Sequence, residues 1–314
     1  MKIALDAMGG DFAPKATIEG AVMAAKEFPE LHILLVGKEA EISSLLNEYA
    51  HLPNLHIFPA EEVIEMGEHP TKALQQKQKS SIAIGYYLLK EGKVQAFCGA
   101  GNTGAMLVGA LFSIKAIEGI MRPPIVSHVP QINGRTSLIL DVGANTDCKP
   151  EVLHQFAVLG KIYAENVLGV SNPRIALMNV GEEESKGNLQ AQAVYPLLKN
   201  DSSLNFVGNV EGRDLFFDKA DVMVCDGFIG NVILKMAESI YDIAQQQKIQ
   251  DNFLNQLNYE AIGGSPILGL NANVVIGHGI SSATAIKNML VIAKKMAESQ
   301  IHTKIKNSLS SVNQ

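Results

Sequence analysis

Short apolar runs alternate with helix-period segments along almost the whole chain, and this alternation limits the fold more than any other feature. KIALD at 2–6, LHILLVG at 31–37 and LHIF at 55–58 read as strands. Between them, TIEGAVMAAKEF at 17–28 places Ile18, Ala21, Val22 and Ala25 at helical spacing, and EISSLLNEYA at 41–50 reads as a second helix. Further strands are predicted at 94–98, 174–180, 221–226 and 273–277. Helices are predicted from Ser80-Ser81 to about Leu89, from Pro150 to about Val167, and over 282–299. Such order calls for a three-layer α/β fold, a mainly parallel, Rossmann-like sheet with helices on both faces. One interruption is predicted: Asn133-Gly134 between IVSHVPQI and RTSLIL makes an antiparallel hairpin.

No repeat or clear linker divides the chain, so residues 1–314 are expected to form a single domain. Residues 237–262 could protrude from it as a helical segment. The polar stretch 61–79, with Pro70, Lys72, Lys77 and Lys79, reads as solvated surface, and the terminal KIKNSLSSVNQ as a fraying tail. At 47% hydrophobic and 18% charged, with net charge −6, the chain suits a well-cored protein and not a nucleic-acid binder. MKIALDAMGGD reads as a first strand rather than a signal peptide, and no apolar run reaches the length of a membrane span. Cys98, Cys148 and Cys225 are odd in number and far apart, which implies reduced thiols and a cytoplasmic setting. The eight scattered histidines contain no H-x-x-x-H pair, so no metal is expected.

Chemistry is expected beyond the carboxyl ends of the strands. Five ends share one character there: GAGNTG at 99–104, GANTDCKP at 143–150, GEEESKGN at 181–188, GFIGN at 227–231 and HGISS at 278–282. Glycine backbone and helix N-termini make good anion sites, so the pocket should take an oxyanion or phosphate. GAGNTG also matches the G-x-G-x-x-G spacing of a dinucleotide turn. That pattern wants an acid at the end of the next strand, and no Asp or Glu lies between Gly119 and Leu140. A nicotinamide-dependent dehydrogenase is thus the weaker reading, and a non-catalytic phosphate- or carrier-binding regulator is a third.

The motifs ALDAMGGDFAP (4–14), AGNTGAM (100–106), LDVGANTDCKPEVLHQFA (140–157), NVGEEESKGN (179–188), GNVEGRDLF (208–216), DVMVCDGFIGNVILK (221–235) and GGSPILGLNANVVIGHG (263–279) resemble the bacterial phosphate acyltransferases of the PlsX type. The resemblance spans nearly the whole chain. It implies transfer of a long-chain acyl group from acyl carrier protein to inorganic phosphate, giving an acyl phosphate for phospholipid synthesis, with no cofactor. It also implies a homodimer and loose association with the inner membrane face, serving a membrane-bound glycerol-3-phosphate acyltransferase. The chain departs from the family pattern at 244–258, which is short and glutamine-rich, and at Ala272, where glycine is expected.

The chemistry is consistent with these residues. Phosphate is itself a nucleophile, and a thiolate leaves without strong acid help, so the protein must mainly orient reactants and stabilise an oxyanion. Lys186 is the expected phosphate clamp or oxyanion stabiliser, against the plainer reading of a surface lysine paired with Glu182 to Glu184. Asn231 is the expected nearby donor, unless it only caps a helix. His278 is a candidate acid or base, equally readable as structural. Gly101, Asn102, Thr103, Gly104, Asn145, Asn188, Asp226 and Gly230 complete the expected binding set, each with a capping or turn role as its alternative. Cys225, among apolar neighbours, is expected to be a buried, inert thiol.

Overall fold

A computed structural model of the protein describes residues 1–49 and 52–312. Where the sequence suggests one domain around one sheet, the described residues divide into two compact units, Met1–Lys115 with Tyr259–Gln300, and Ala116–Asn258 with the terminal residues from Ile301. Each has its own sheet. The segment 237–262 spans the boundary at Asn258 and Tyr259.

Numbered in chain order through both units, the first unit holds β1 (Lys2–Asp6), α1 (Lys15–Glu27), β2 (His32–Gly37), α2 (Glu39–Leu46), β3 (Leu55–Pro59), α3 (Pro70–Gln76), α4 (Ser81–Lys90), β4 (Ala96–Gly99) and α5 (Thr103–Gly109). The second holds β5 (Val126–Pro130), β6 (Thr136–Leu140), α6 (Pro150–Asn166), β7 (Arg174–Met178), α7 (Leu189–Asn200), β8 (Asn205–Val210), β9 (Val222–Val224), α8 (Gly227–Gln246) and α9 (Asn252–Gln256). The chain then returns to the first unit with α10 (Tyr259–Ile262), β10 (Ser265–Ile267), β11 (Asn273–Ile276) and α11 (Ala283–Ser299), and ends in the second with α12 (Ile301–Val312).

The first sheet runs β10-β11-β4-β1-β2-β3, parallel except for β10. Its inner strands are apolar on both faces, as a sheet covered by helices requires: Ile3, Ala4, Leu5, Ile33, Leu35, Phe97 and Val275 are all fully buried. Gly20 lets α1 meet α11, because a Cβ there would lie 2.6 Å from both the Ala283 carbonyl and Ile286 Cβ. Gly85 does the same for α4 against the Phe97 ring. The second sheet runs β5-β6-β9-β7-β8, parallel except for the hairpin strand β5. That hairpin matches the expectation from Asn133-Gly134. At its opposite edge, away from the strand carboxyl ends, Arg174 bonds Asp218 and Asp221, and Arg135 reaches both carboxylates. Burial draws the Asp221 carboxyl up, but Arg174 and Arg135 outweigh it and hold its pKa below the usual range.

Five elements depart from the sequence reading, one of them α7, for which the sequence predicts no helix. α3 forms inside the polar stretch 61–79, with Pro70 at its first position. β8 and β10 are short strands that the alternation does not show. The terminal segment is helical through Val312 rather than frayed, with Ile301 and Ile305 buried and the helix packed on α6.

Candidate functional site

The five glycine-rich ends, read from sequence as one edge, belong to two sheets. Those after β4 and β11 are in the first unit, and those after β6, β7 and β9 in the second. Each cluster is built from its own unit.

In the first unit Asn102 caps α5, its Oδ1 accepting from Ala105 N at 2.9 Å. Its amide nitrogen donates to the carbonyls of Glu65, Met66 and Glu68 at 3.0, 3.1 and 2.9 Å. The side chain is therefore spent on holding the 65–68 segment against the α5 start. The glycines of GAGNTG are likewise packed against the protein itself: a Cβ on Gly101 would stand 3.2 Å from Asp6 Oδ2 and Gly9 Cα, and one on Gly104 would stand 2.4 Å from the Pro70 ring. Thr103 opens α5 and is exposed. His278 is half-buried, edge-on to the Tyr259 ring, and its carbonyl accepts from both the N–H and the hydroxyl of Ser281.

The sequence reading missed Asp6 at the carboxyl end of β1. Its side chain is 1% exposed, accepts from Met8 N, and lies against Gly9 and Gly101. Burial pushes its carboxyl up to about 6, against the pull of the Met8 and Gly9 N–H groups. Ser81 Oγ is buried with no partner at hydrogen-bond distance. An acid closing the first strand in ALDAMGGD was the available signal.

In the second unit Asp141 organises the edge. Its Oδ1 accepts from Ile125, Gly143 and Ala144 N–H, and its Oδ2 from the backbone and side-chain amides of Asn145. Burial still pushes its pKa above the usual range. The Asn145 amide bonds Asp141 and the Pro123 carbonyl, so it fixes the loop and has no N–H left to offer. Asp226, not Asn231, caps α8, accepting from Ile229 N at 2.9 Å. Asn231 sits in the next turn, exposed, its amide donating to the Val142 carbonyl at 3.3 Å. Gly230 brings α8 onto that loop, because a Cβ there would overlap the Asp141 carbonyl oxygen at 1.9 Å. Cys225 is buried beneath, its thiol pushed well up by burial, an inert group as expected.

Lys186 lies in the loop between β7 and α7. Asn179 closes this loop, its Nδ2 donating to the Lys186 carbonyl at 3.1 Å and its Oδ1 accepting from Val180 N. Gly187 follows at φ +96°, and Asn188 caps α7 by accepting from Ala191 N. The acids in the loop take other partners: Glu184 pairs with Lys199 at 2.7 Å and Glu182 with Lys219 at 3.9 Å. Among the described residues Lys186 has no ion pair, and the residue is exposed. The next two residues, Gly187 and Asn188, line a cavity of about 310 Å³, walled by Leu153, Leu177, Ala191, Ile229 and Ile233, with Asn179 and Asp226 among its other polar groups. Asn179 was the residue missed here, although it stands inside the NVGEEESKGN motif.

Comparison with known proteins now decides the family. A sequence model described as fatty acid synthesis protein matches residues 1–253. A phosphate acyltransferase from Dictyoglomus turgidum is 46% identical over 332 residues, covering 99% of this chain and 98% of the relative. One from Halothermothrix orenii is 43% identical over 333 residues, covering 99% of both. The chain belongs to the phosphate acyltransferase family. A EutD phosphotransacetylase from Staphylococcus aureus shares the fold, with TM-score 0.64 and 18% identity over 95% of this chain and 94% of that one. Membership in this enzyme family sets aside the dehydrogenase and the non-catalytic regulator. Among the described residues no helix is long and apolar enough to cross a membrane.

Proposed function

We propose that this phosphate acyltransferase takes a long-chain acyl group from acyl carrier protein and passes it to inorganic phosphate. A phosphate oxygen attacks the thioester carbonyl, the C–S bond breaks as the C–O bond forms, and the carrier leaves as a thiolate that takes up a proton. The products are an acyl phosphate and free carrier protein. The observation that carries this reading is Lys186: a cation without an ion pair among the described residues, in the loop whose Gly187 and Asn188 line a mostly apolar cavity at the strand carboxyl edge. A neighbouring lysine charge stabilises both bound phosphate and the developing oxyanion. Asn188 and Asp226 shape the cavity wall, and Asn231 is assigned a donor role from the turn of α8 that follows Asp226.

Roles for Asn102, Asn145 and Gly230 in this scheme are those of framework, because their groups are spent on the loops they hold. Gly101, Thr103, Gly104 and His278 are assigned to a phosphate- or substrate-binding role at the first unit's own strand ends. Phe228, Val232, Met236 and Ile243, exposed along α8, support a homodimer. The acyl phosphate would go to a membrane-bound glycerol-3-phosphate acyltransferase, with this enzyme cytoplasmic and peripheral at the inner membrane face.

Steady-state kinetics of Lys186→Ala and Lys186→Arg against phosphate test the reading. Alanine is expected to lower kcat/KM for phosphate by about a hundredfold or more, as loss of a transition-state donor does, and arginine to recover part of it. A Lys186→Ala enzyme with unchanged phosphate dependence would remove the support.

A further inference from the structure

The cavity lined by Gly187 and Asn188 is larger and more apolar than a phosphate needs. Its floor is buried: Leu153, Leu177, Met178 and Cys225 are each at most 6% exposed. Ile229 and Ile233, one helical turn apart on α8, form one wall, and Ala191 of α7 belongs to another. The Cys225 thiol is held neutral by burial and counts as apolar. Polar groups come from Asn179, Asn188, Gln190 and Asp226, and the Lys186 loop supplies Gly187 and Asn188 to the lining. An apolar hole with amide groups along one side fits an amphiphile with a carbonyl head.

Resting on the acyl-transfer reading, we infer that this cavity holds the proximal part of the fatty acyl chain, with the carbonyl end toward Lys186 and the hydrocarbon against Ile229, Ile233 and Leu153. With about 30 Å³ for each water-sized group, a methylene included, the 310 Å³ cavity takes roughly ten carbons. Carbons beyond that number leave it and add little. Selectivity should therefore rise steeply with chain length, by about fourfold per methylene, and then flatten near ten carbons.

Two measurements test this. The first is kcat/KM for acyl-carrier substrates of four to sixteen carbons, for the wild type, Ile233→Trp and Ile233→Ala. Tryptophan shortens the cavity, so the twelve- to six-carbon ratio should fall at least tenfold, while alanine should move the plateau to longer chains. A ratio unchanged in both variants, or a wild-type profile flat from four to ten carbons, overturns the assignment. The second is displacement of a fluorescent fatty acid from the intact protein by dodecanoate, which needs no turnover. Weaker displacement in Ile233→Trp and unaltered displacement in a surface control, Lys90→Ala, are expected. Equal displacement in Ile233→Trp and wild type overturns the cavity assignment whatever the kinetics do. Phosphate-independent thiol release would instead sink the acyl-transfer reading and leave the binding result standing.

Discussion

Gly187→Ala should separate the geometry of the Lys186 loop from the stability of the fold. Gly187 has φ +96°, a conformation that costs an L side chain about 1–2 kcal/mol. Its added Cβ would also stand 2.4 Å from Asn179 Oδ1 and 2.7 Å from Ala191 Cβ, an overpacking of about 1–3 kcal/mol. The worst case is therefore about 2–5 kcal/mol, a serious fraction of the stability of a typical domain. The loop is mostly exposed, so it can move and relieve part of the clash. Such movement breaks the Asn179–Lys186 bond that closes the loop. Since a displacement of about 1 Å at a reacting centre costs about a hundredfold, activity should fall by one to two orders of magnitude. Urea denaturation should show a smaller loss, about 1–3 kcal/mol. The mechanism has an internal check: Asn179→Ala removes the clashing oxygen, so in the double variant the two stability losses should fall short of additive by at least about 0.5 kcal/mol. Strict additivity, or a Gly187→Ala enzyme with wild-type stability and activity, would refute this reasoning.

Three further outcomes are expected. Asn102→Ala loses the α5 cap and strands carbonyls at 65–68, so it should cost about 2–4 kcal/mol, with faster hydrogen exchange over 65–68 and α5. Asp6 has its folded pKa raised from 3.8 to about 6, so its contribution is fully present below pH 3.8 and lost as pH rises through 6. That shift is worth about 3 kcal/mol, and Asp6→Asn should flatten the fall in urea stability between pH 4 and pH 6; an unchanged fall would contradict it. Asp221 has the opposite sign, with stability present above its unfolded pKa and lost as pH drops through the depressed folded value. Arg174→Met should accordingly weaken acid unfolding's dependence on pH, measured by circular dichroism below pH 4.

Much of the chain was legible because its strands are short, apolar and bounded by turn chemistry. β1, β2, β6 and α6 follow from periodicity and capping alone, as does the Asn-Gly hairpin. β8 escaped because NFVGNV carries Asn205, Gly208 and Asn209, which weaken strand character. α12 escaped because its few apolar residues, Ile301 and Ile305 among them, matter only once α6 is there to cover them. The division into two sheets lies in strand order, which is a tertiary fact with no local signal. At the site, the glycine-rich strand ends and the GEEESKGN motif that contains Lys186 were readable, and the structure leaves Lys186 without an ion pair among the described residues. The sequence does not show how those groups are used. Asn102 and Asn145 look like free donors until their carbonyl partners, 34 to 37 and 22 residues away, are known. Asp6 shows the converse: an acid that reads as a plain turn cap has its pKa raised once the fold buries it.

The most direct test is thiol release from palmitoyl-acyl carrier protein with and without inorganic phosphate, trapping product with hydroxylamine. Release that depends on phosphate, yields a hydroxamate and falls with Lys186→Ala is the expected result. Equal release without phosphate would make the protein a thioesterase and contradict the transfer to phosphate at its centre.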